Sequence, residues 1–482
     1  MTLPDRQGFG RSRPGLTFLL LATMGVVPAA TALEIIPSVT VGAVYTDNLF
    51  LTPDNETSDL VGRIDPSINI THQSQRINLR ADYTYSYLGY AETDDVNGSF
   101  NEASGALDLV LIPNLLTLET VGELSQQLID PENGVFYTNV SIVDNRTDEA
   151  RLETSPHLQT EIGGIGIDSR YVVGLVNYDA PDIQDVDYQE WHTAITGEER
   201  NKGLSWGLYH DWELYEYETP PDNTAQLAYL TLTYGLRQTG DFFVFGSIGM
   251  ESDYQDFTDA SLVDTYWAVG FRRQTSRTLV EASFGERSFG STWGARIRRE
   301  INEGSIELSY REDPSVDEQI FEQRPAVDDT PQPPETPGNI DRRGVGDRFI
   351  YKLLSASLVR ALGRNEVSLL LFNEVRDEFL DRTDTNQDPV KNSETETGIV
   401  LGLSRQIGRR TTVGASGQYS QREFRDGNDD EVSELRGFVI YDLGRKLSLE
   451  GWLARYEQQG SDNPNDNYQE FQTGLSANYS FR

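Results

Sequence analysis

Ile77-Asn78-Leu79-Arg80-Ala81-Asp82-Tyr83-Thr84-Tyr85-Ser86-Tyr87 decides the fold. Apolar or aromatic residues occupy every odd position and polar ones every even position, the period of two that a β-strand imposes on side chains at an interface between two solvents. The pattern recurs in both directions along the chain. Leu107, Leu109 and Leu111 alternate with Asp108 and Val110, and Leu116, Leu118 and Thr120 alternate with Thr117 and Glu119, with Pro113-Asn114 as the turn between them. Trp293, Ala295 and Ile297 interleave with Gly294, Arg296 and Arg298, and Ile306, Leu308 and Tyr310 with Glu307, Ser309 and Arg311. Ile399, Leu401 and Leu403, then Leu435, Val439 and Tyr441, continue the rhythm, and sustained helical spacing is absent after the first thirty residues.

Such segments predict an all-β, transmembrane antiparallel barrel of about 22 strands, within a range of about 18–24, each roughly 10 residues long. The connections fall into two alternating classes. Gln73–Arg76, Pro113-Asn114, Gly163–Gly166, Glu198–Lys202, Arg237–Asp241, Arg272–Arg277, Arg298–Gly304, Arg360–Arg364, Arg405–Arg410 and Gly444–Lys446 are short and often basic, and read as periplasmic turns. Thr46–Gly62, Leu128–Asp148, Asp179–Asp187, Glu312–Asp347, Asp377–Ser393, Glu423–Glu431 and Gln458–Asp466 are longer and acidic, and read as extracellular loops. Glu312–Asp347 holds ten acids, three arginines and a run of prolines, which excludes strand and favours a surface loop over a constriction folded into the pore.

Arg6, Arg11 and Arg13 precede an apolar run from Leu16 to Val27 and the triplet Ala30-Thr31-Ala32, the layout of a secretory signal peptide cleaved after Ala32. The domain reading is therefore residues 1–32 as signal peptide and 33–482 as one barrel in the cell outer membrane of a Gram-negative bacterium. A formal charge of −37 excludes nucleic acid as a partner. The mean hydropathy of −0.49 is that of a soluble protein, but a barrel strand shows only alternate residues to lipid, so the average misleads. Cysteine is absent, which removes disulfides and thiol chemistry. Twenty-three Tyr, 20 Phe and six Trp suit strands and the aromatic girdles at the membrane interfaces.

Phe471, Leu475, Tyr479 and Phe481, with Ala477 between them, alternate to the end of the chain, where Arg482 follows the last aromatic. They resemble the recognition signal read by the barrel-assembly machinery. Val44-Tyr45-Thr46-Asp47-Asn48-Leu49-Phe50, followed by Ser58-Asp59, Asp65-Pro66-Ser67-Ile68 and Asn78-Leu79-Arg80-Ala81-Asp82-Tyr83, resembles the β-barrel porin family often encoded beside exopolysaccharide and exosortase (PEP-CTERM) systems. The match covers residues 39–90. It implies an integral outer-membrane barrel that passes polysaccharide or small solutes, with polysaccharide-export components as partners alongside outer-membrane lipid and lipopolysaccharide, and it assigns no binding residue. From the residues alone, Tyr45-Thr46-Asp47-Asn48 reads as structural, a girdle tyrosine followed by turn formers.

Period two turns Arg80, Asp82, Asp108, Glu119, Glu190, Glu281, Arg287, Arg296, Arg298, Glu307, Arg311 and Arg455 inward as lumen-lining charges of both signs, with Arg296 near Glu307 across a hairpin. Of the four histidines, His72 falls at a turn, His210 shares parity with lipid-facing Leu208 and Trp212, and His192 faces the lumen. A lumenal histidine is ordinarily polar lining, and neither His192 nor His157 has a nucleophile at catalytic spacing, so no enzyme and no cofactor is expected. Asp384-Thr385-Asn386-Gln387-Asp388 imitates a calcium loop but places Pro389 where an EF-hand needs Gly, and Asp426–Glu431 offers only loosely spaced oxygens, so no metal site is expected either. The expected function is a porin-like channel for polysaccharide or small hydrophilic solutes, with a non-conducting surface scaffold second and an outer-membrane hydrolase third.

Overall fold

The computed structural model describes residues 33–129, 138–143, 145–181, 183–199, 203–218, 222–236, 241–255, 262–315, 349–378, 393–424, 427–460 and 467–481. The signal-peptide segment, most of the Pro-rich loop and the Asp384–Asp388 motif lie outside these residues.

Twenty-two strands follow one another: β1 (Glu34–Thr46), β2 (Asp59–Gln73), β3 (Ile77–Tyr90), β4 (Gly98–Ile112), β5 (Leu116–Leu128), β6 (Arg146–Ile162), β7 (Ile165–Tyr178), β8 (Val186–Glu199), β9 (Leu204–Tyr217), β10 (Asn223–Gly235) and β11 (Phe242–Gln255). Then come β12 (Leu262–Gln274), β13 (Thr278–Arg287), β14 (Gly290–Ile301), β15 (Gly304–Ser315), β16 (Phe349–Leu362), β17 (Asn365–Glu378), β18 (Ser393–Gln406), β19 (Thr411–Glu423), β20 (Asp429–Asp442), β21 (Leu447–Gly460) and β22 (Tyr468–Ser480). A 3-10 turn at Asp94–Val96 lies between β3 and β4. Every strand pairs antiparallel with the next, and β22 pairs antiparallel with β1, so the sheet is a closed barrel without an edge.

Alternation decides which side each residue takes. Ile248, Leu435 and Leu475 stand exposed on the outer face, in the apolar band that a barrel presents to lipid. Tyr45 and Tyr87 near one rim and Tyr441, Tyr479 and Phe481 near the other put exposed aromatics at both margins of that band. Among the described residues, no helix is long and apolar enough to cross a membrane. The turns behave as their residues require: Asn114 closes the β4–β5 turn with φ 57°, a left-handed conformation that Asn tolerates, and Gly163 and Gly164 (φ 62° and 85°) close β6–β7.

Several boundaries differ from the sequence reading. Strands of up to 17 residues exceed what a tilted span needs, roughly 9–11, so they continue into segments read as connections. Glu312–Ser315 are the last residues of β15, paired with β16 as far as Ser315↔Phe349. Arg298, Arg299 and Glu300 belong to β14, and the hairpin turns at Asn302–Glu303. Inside the outer half of the barrel the wall is not uniformly polar. Val44, Val61, Leu88, Tyr90 and Phe100 all have inward parity and are buried there, packed on Leu49 and Val140 from two of the loops.

Candidate functional site

The lumen wall is the site, and its side chains come from the inward parity of each strand. On β5–β9 one register row runs Thr117, His157, Arg170, His192, Asp211, each directly opposite the next. His157 Nδ1 lies 3.0 Å from Glu119 and Nε2 3.0 Å from Asp168. Arg170 reaches Glu119 at 3.2 Å and Glu153 at 3.4 Å. His192 is held between Asp211 at 2.9 Å and Glu190 at 3.2 Å, and the Tyr215 hydroxyl donates to Glu190. With both ring nitrogens against carboxylates, His192 is a cross-linking group in the wall and not a free base.

A second network joins β11, β13 and β15. The Arg287 guanidinium donates to Glu251 at 2.6 Å and to Asp313 at 3.2 Å, and the Ser288 backbone N–H donates to Glu251 at 3.0 Å. A third joins β19 to β20, where Arg422 donates to Asp430 and both side chains are almost fully buried. Arg376 donates to Glu374 at 3.0 Å beside it. In each of these three networks opposite charges meet within hydrogen-bond reach, as buried ions require.

The sequence-predicted residues fall as follows. Arg80, Asp82, Asp108, Glu119, Glu190, Glu281, Arg287, Arg296, Arg298, Glu307 and Arg311 have inward parity. Asn69 donates to Asp82 at 2.6 Å and Asn78 to Asp108 at 3.0 Å. Arg298 is the residue directly opposite Glu307, yet Arg296 makes the bond, donating diagonally at 2.8 and 3.2 Å, while Arg298 turns to Glu300 at 2.9 Å. Arg455 is a correction. It pairs with outward Phe471, whereas Ala454 and Tyr456 face the lumen, so Arg455 lies on the outer face near the extracellular rim, where it bonds Glu457 at 2.9 Å. Phe471, Leu475, Tyr479 and Phe481 all point outward and are exposed. His210 also faces out, 2.9 Å from Gln226. Among the described residues, no group of three or more His, Cys, Asp or Glu side chains is arranged to hold a metal ion.

The mouth holds what sequence reasoning missed. Residues 138–143, between β5 and β6, tuck against the inner wall of β22, β1 and β3. Ser141 Oγ donates to Glu470 at 2.8 Å, the Gln472 amide donates to Thr138 at 2.9 Å, and the Tyr90 hydroxyl donates to the carbonyl of Val140 at 2.9 Å. Thr46 Oγ1 donates to the same Glu470 at 2.6 Å, and the Ile142 N–H to Leu49 O at 2.8 Å. The only signal in the sequence was a change of parity: after outward Tyr83, Tyr85 and Tyr87, apolar Leu88 and Tyr90 occupy inward positions.

No protein-family model matches the chain, and no curated protein matches it in sequence, so nothing in the comparisons supports the exopolysaccharide association. Solved structures do match. A mutant of the ferric enterobactin receptor PfeA from Pseudomonas aeruginosa aligns over 93% of this chain and 81% of its own, at 9% identity and a TM-score of 0.51. The siderophore receptor PirA from the same organism aligns over 93% and 81%, at 11% identity and a TM-score of 0.47. A loop-deletion mutant of OmpT, an outer membrane protein of Vibrio cholerae, aligns over 94% and 100%, at 10% identity and a TM-score of 0.32. At such identities the likeness is one of fold. The closed 22-strand ladder and the outward apolar band, together with the fold shared with the PfeA structure, make the chain an outer-membrane β-barrel.

Proposed function

We propose that this barrel is a porin-like channel for hydrophilic solutes, polysaccharide or smaller, possessing no catalytic activity of its own. The observation that carries the reading is the row His157, Arg170, His192, Asp211 with its flanking acids. It gives a strand-to-strand lining of hydrogen-bonding groups inside a barrel of 22 strands, and barrels wider than about 16 strands enclose an aqueous space unless something fills it. Its partners on this reading are outer-membrane lipid, lipopolysaccharide and the assembly machinery, with polysaccharide-export components where the cargo is a polymer. The test is planar-bilayer recording on the refolded chain. Discrete conductance steps are expected, and their absence at every voltage would overturn the reading.

A second reading, a non-conducting surface scaffold, draws on the segment 138–143, which fills one side of the mouth. The two part on one experiment. Loss of phenotype on exchanging the acidic loops, with a lumen-blocking substitution tolerated, favours the scaffold; the reverse favours the channel.

A further inference from the structure

Three inward tyrosines on β9, β10 and β12 form one continuous aromatic surface in the lumen. Tyr209 and Tyr229 are directly opposite in register, and their rings stack with centroids 4.8 Å apart and planes 17° apart. Tyr229 faces Gly249 on β11, and Gly249 faces Tyr266. With no side chain on the intervening strand, Tyr266 reaches across it and brings its ring to 5.1 Å from Tyr229, tilted by 57°. The glycine is required: a Cβ there would stand 2.5 Å from Tyr229 Cβ and 2.1 Å from the Ala228 carbonyl oxygen. All three tyrosines are half-buried, so part of each ring remains open to the lumen.

The surroundings are polar. One step nearer the mouth on the same inward face stand Asp211 on β9, Glu251 on β11 and, directly opposite Glu251, the exposed Asp264 on β12. Glu251 is compensated by Arg287, and Asp211 by His192. The wall here is thus a row of aromatic rings with the open carboxylate of Asp264 and the partly open one of Asp211 beside it, Glu251 being buried in its bonds to Arg287 and Ser288.

We propose that this row is a contact track for neutral hexopyranose oligosaccharides, an inference that rests on the channel reading and names its cargo class. A pyranose presents a face of C–H groups, weakly positive and apolar, which packs on an aromatic π surface, while its rim of hydroxyls seeks acceptors. Ionised carboxylates are acceptors only, and their bonds from O–H donors are short and strong. The 4.8 and 5.1 Å steps between rings are comparable to the length of one sugar unit, so a chain moves from ring to ring without losing contact. Contact that is repeated and individually weak is what conduction demands. The exposed carboxylate of Asp264 also sets selectivity, since a uronate polymer would bring like charge against it.

The experiment uses the full chain refolded in detergent micelles, with maltohexaose, cellohexaose and hexagalacturonate as probes and saturation-transfer NMR as the binding readout. Both neutral hexasaccharides are expected to bind more tightly than hexagalacturonate. Tyr209→Ala and Tyr229→Ala are each expected to weaken binding about threefold to tenfold, and Tyr229→Leu, which keeps a large strand-compatible side chain, to weaken it similarly without disturbing the fold. Tyr229→Phe retains binding. Neutral sugars that do not bind, binding indifferent to Tyr229→Leu and Tyr209→Ala together, or tighter binding of hexagalacturonate would each overturn the track. Because micelle binding does not depend on conduction, a barrel that binds at the tyrosines but carries no current upholds the track and removes the channel, whereas a conducting barrel blind to both neutral sugars removes the track alone.

Discussion

The side-chain amide of Asn48 donates to the carbonyl oxygen of Gln469 at 2.9 Å, tying together residues 421 positions apart at the seam where the barrel closes. Asn48 also donates to Thr52 O at 2.8 Å and accepts from the Thr52 N–H at 3.0 Å, while neighbouring Asp47 accepts from the Phe471 N–H at 2.7 Å. Closing the first strand on the last is the most non-local step in the fold, and these two residues fasten its extracellular end. Asn48→Ala strands the part-buried Thr52 N–H and the carbonyls of Thr52 and Gln469, a loss of about 1–3 kcal/mol in all. A fall in the urea midpoint of the micelle-bound barrel is expected, with outward Tyr45→Leu changing it little; equal midpoints for the two variants would show that the seam is held elsewhere.

Glu470 is the acceptor that seats the mouth segment, receiving hydrogen bonds from Thr46, Ser141 and Gln472. Glu470→Ala removes all three at once, including the segment's own Ser141 bond, and loosens residues 138–143 on the wall, where the Gln472–Thr138, Tyr90–Val140 and Ile142–Leu49 bonds remain. In single-channel recording the variant should conduct more than the parent, and Glu470→Gln, which keeps an acceptor, should stay near the parent. A conductance that is unchanged in Glu470→Ala would mean that the segment does not restrict the pore.

How much of this was legible follows from what period two can encode. The strand at Ile77–Tyr87, the turn at Pro113-Asn114 and the inward charges Arg80 to Arg311 need only alternation, which is local. Arg455 defeated it because near the rim the outer face leaves the hydrocarbon, and there a charge satisfies the outward position as well as the inward one. Asp313 lies inside Glu312–Asp347, whose acids and proline run read as loop, yet β15 continues through Pro314 to Ser315, near a strand end where proline is accepted. The contacts of Glu470 with Thr46 and Ser141 and of Asn48 with Gln469 join positions more than three hundred apart, and no local rule reports them.

Trp452 lies across Gly474, its directly opposed neighbour on β22: a Cβ on that glycine would stand 2.6 Å from Cε2 of the indole. Phe438 leans the other way over Gly414, so this sector of the lumen is floored by rings laid on glycines. Gly474→Ala therefore forces the indole to shift, at about 1–3 kcal/mol. In the Trp452→Leu background the same substitution should cost markedly less, and additive losses in thermal unfolding would contradict the contact.

Two ion pairs should behave oppositely on truncation. The side chain of Arg296 is 48% exposed in its bond to Glu307, so a double-mutant cycle on that pair should return no more than about 1 kcal/mol, reduced further by salt. Arg422 and Asp430 are 2% and 5% exposed, and Gln458 donates to the same carboxylate at 3.1 Å. Asp430→Ala leaves a buried guanidinium short of its counter-charge and should cost about 3–5 kcal/mol. Similar losses at the two sites would mean that water reaches Arg422 from the lumen.

Leu475, midway along β22 and 73% exposed, should meet lipid near the centre of the bilayer, whereas Ser476, the next residue, faces the lumen. Adjacent positions on one strand thus face different solvents, and arginine distinguishes them. Leu475→Arg carries a charge into hydrocarbon, a loss of about 2–4 kcal/mol at the midplane, while at the interface it would be about 0–1. Ser476→Arg adds a charge to a wall that already holds Glu450 directly opposite, and should cost little. Reversible unfolding from lipid vesicles reads both. The difference between the two variants cancels effects on the unfolded chain, so it reports depth and facing alone; equal losses would mean that β22 does not present alternate residues to lipid and lumen, and the parity on which the inward wall rests would fail with it.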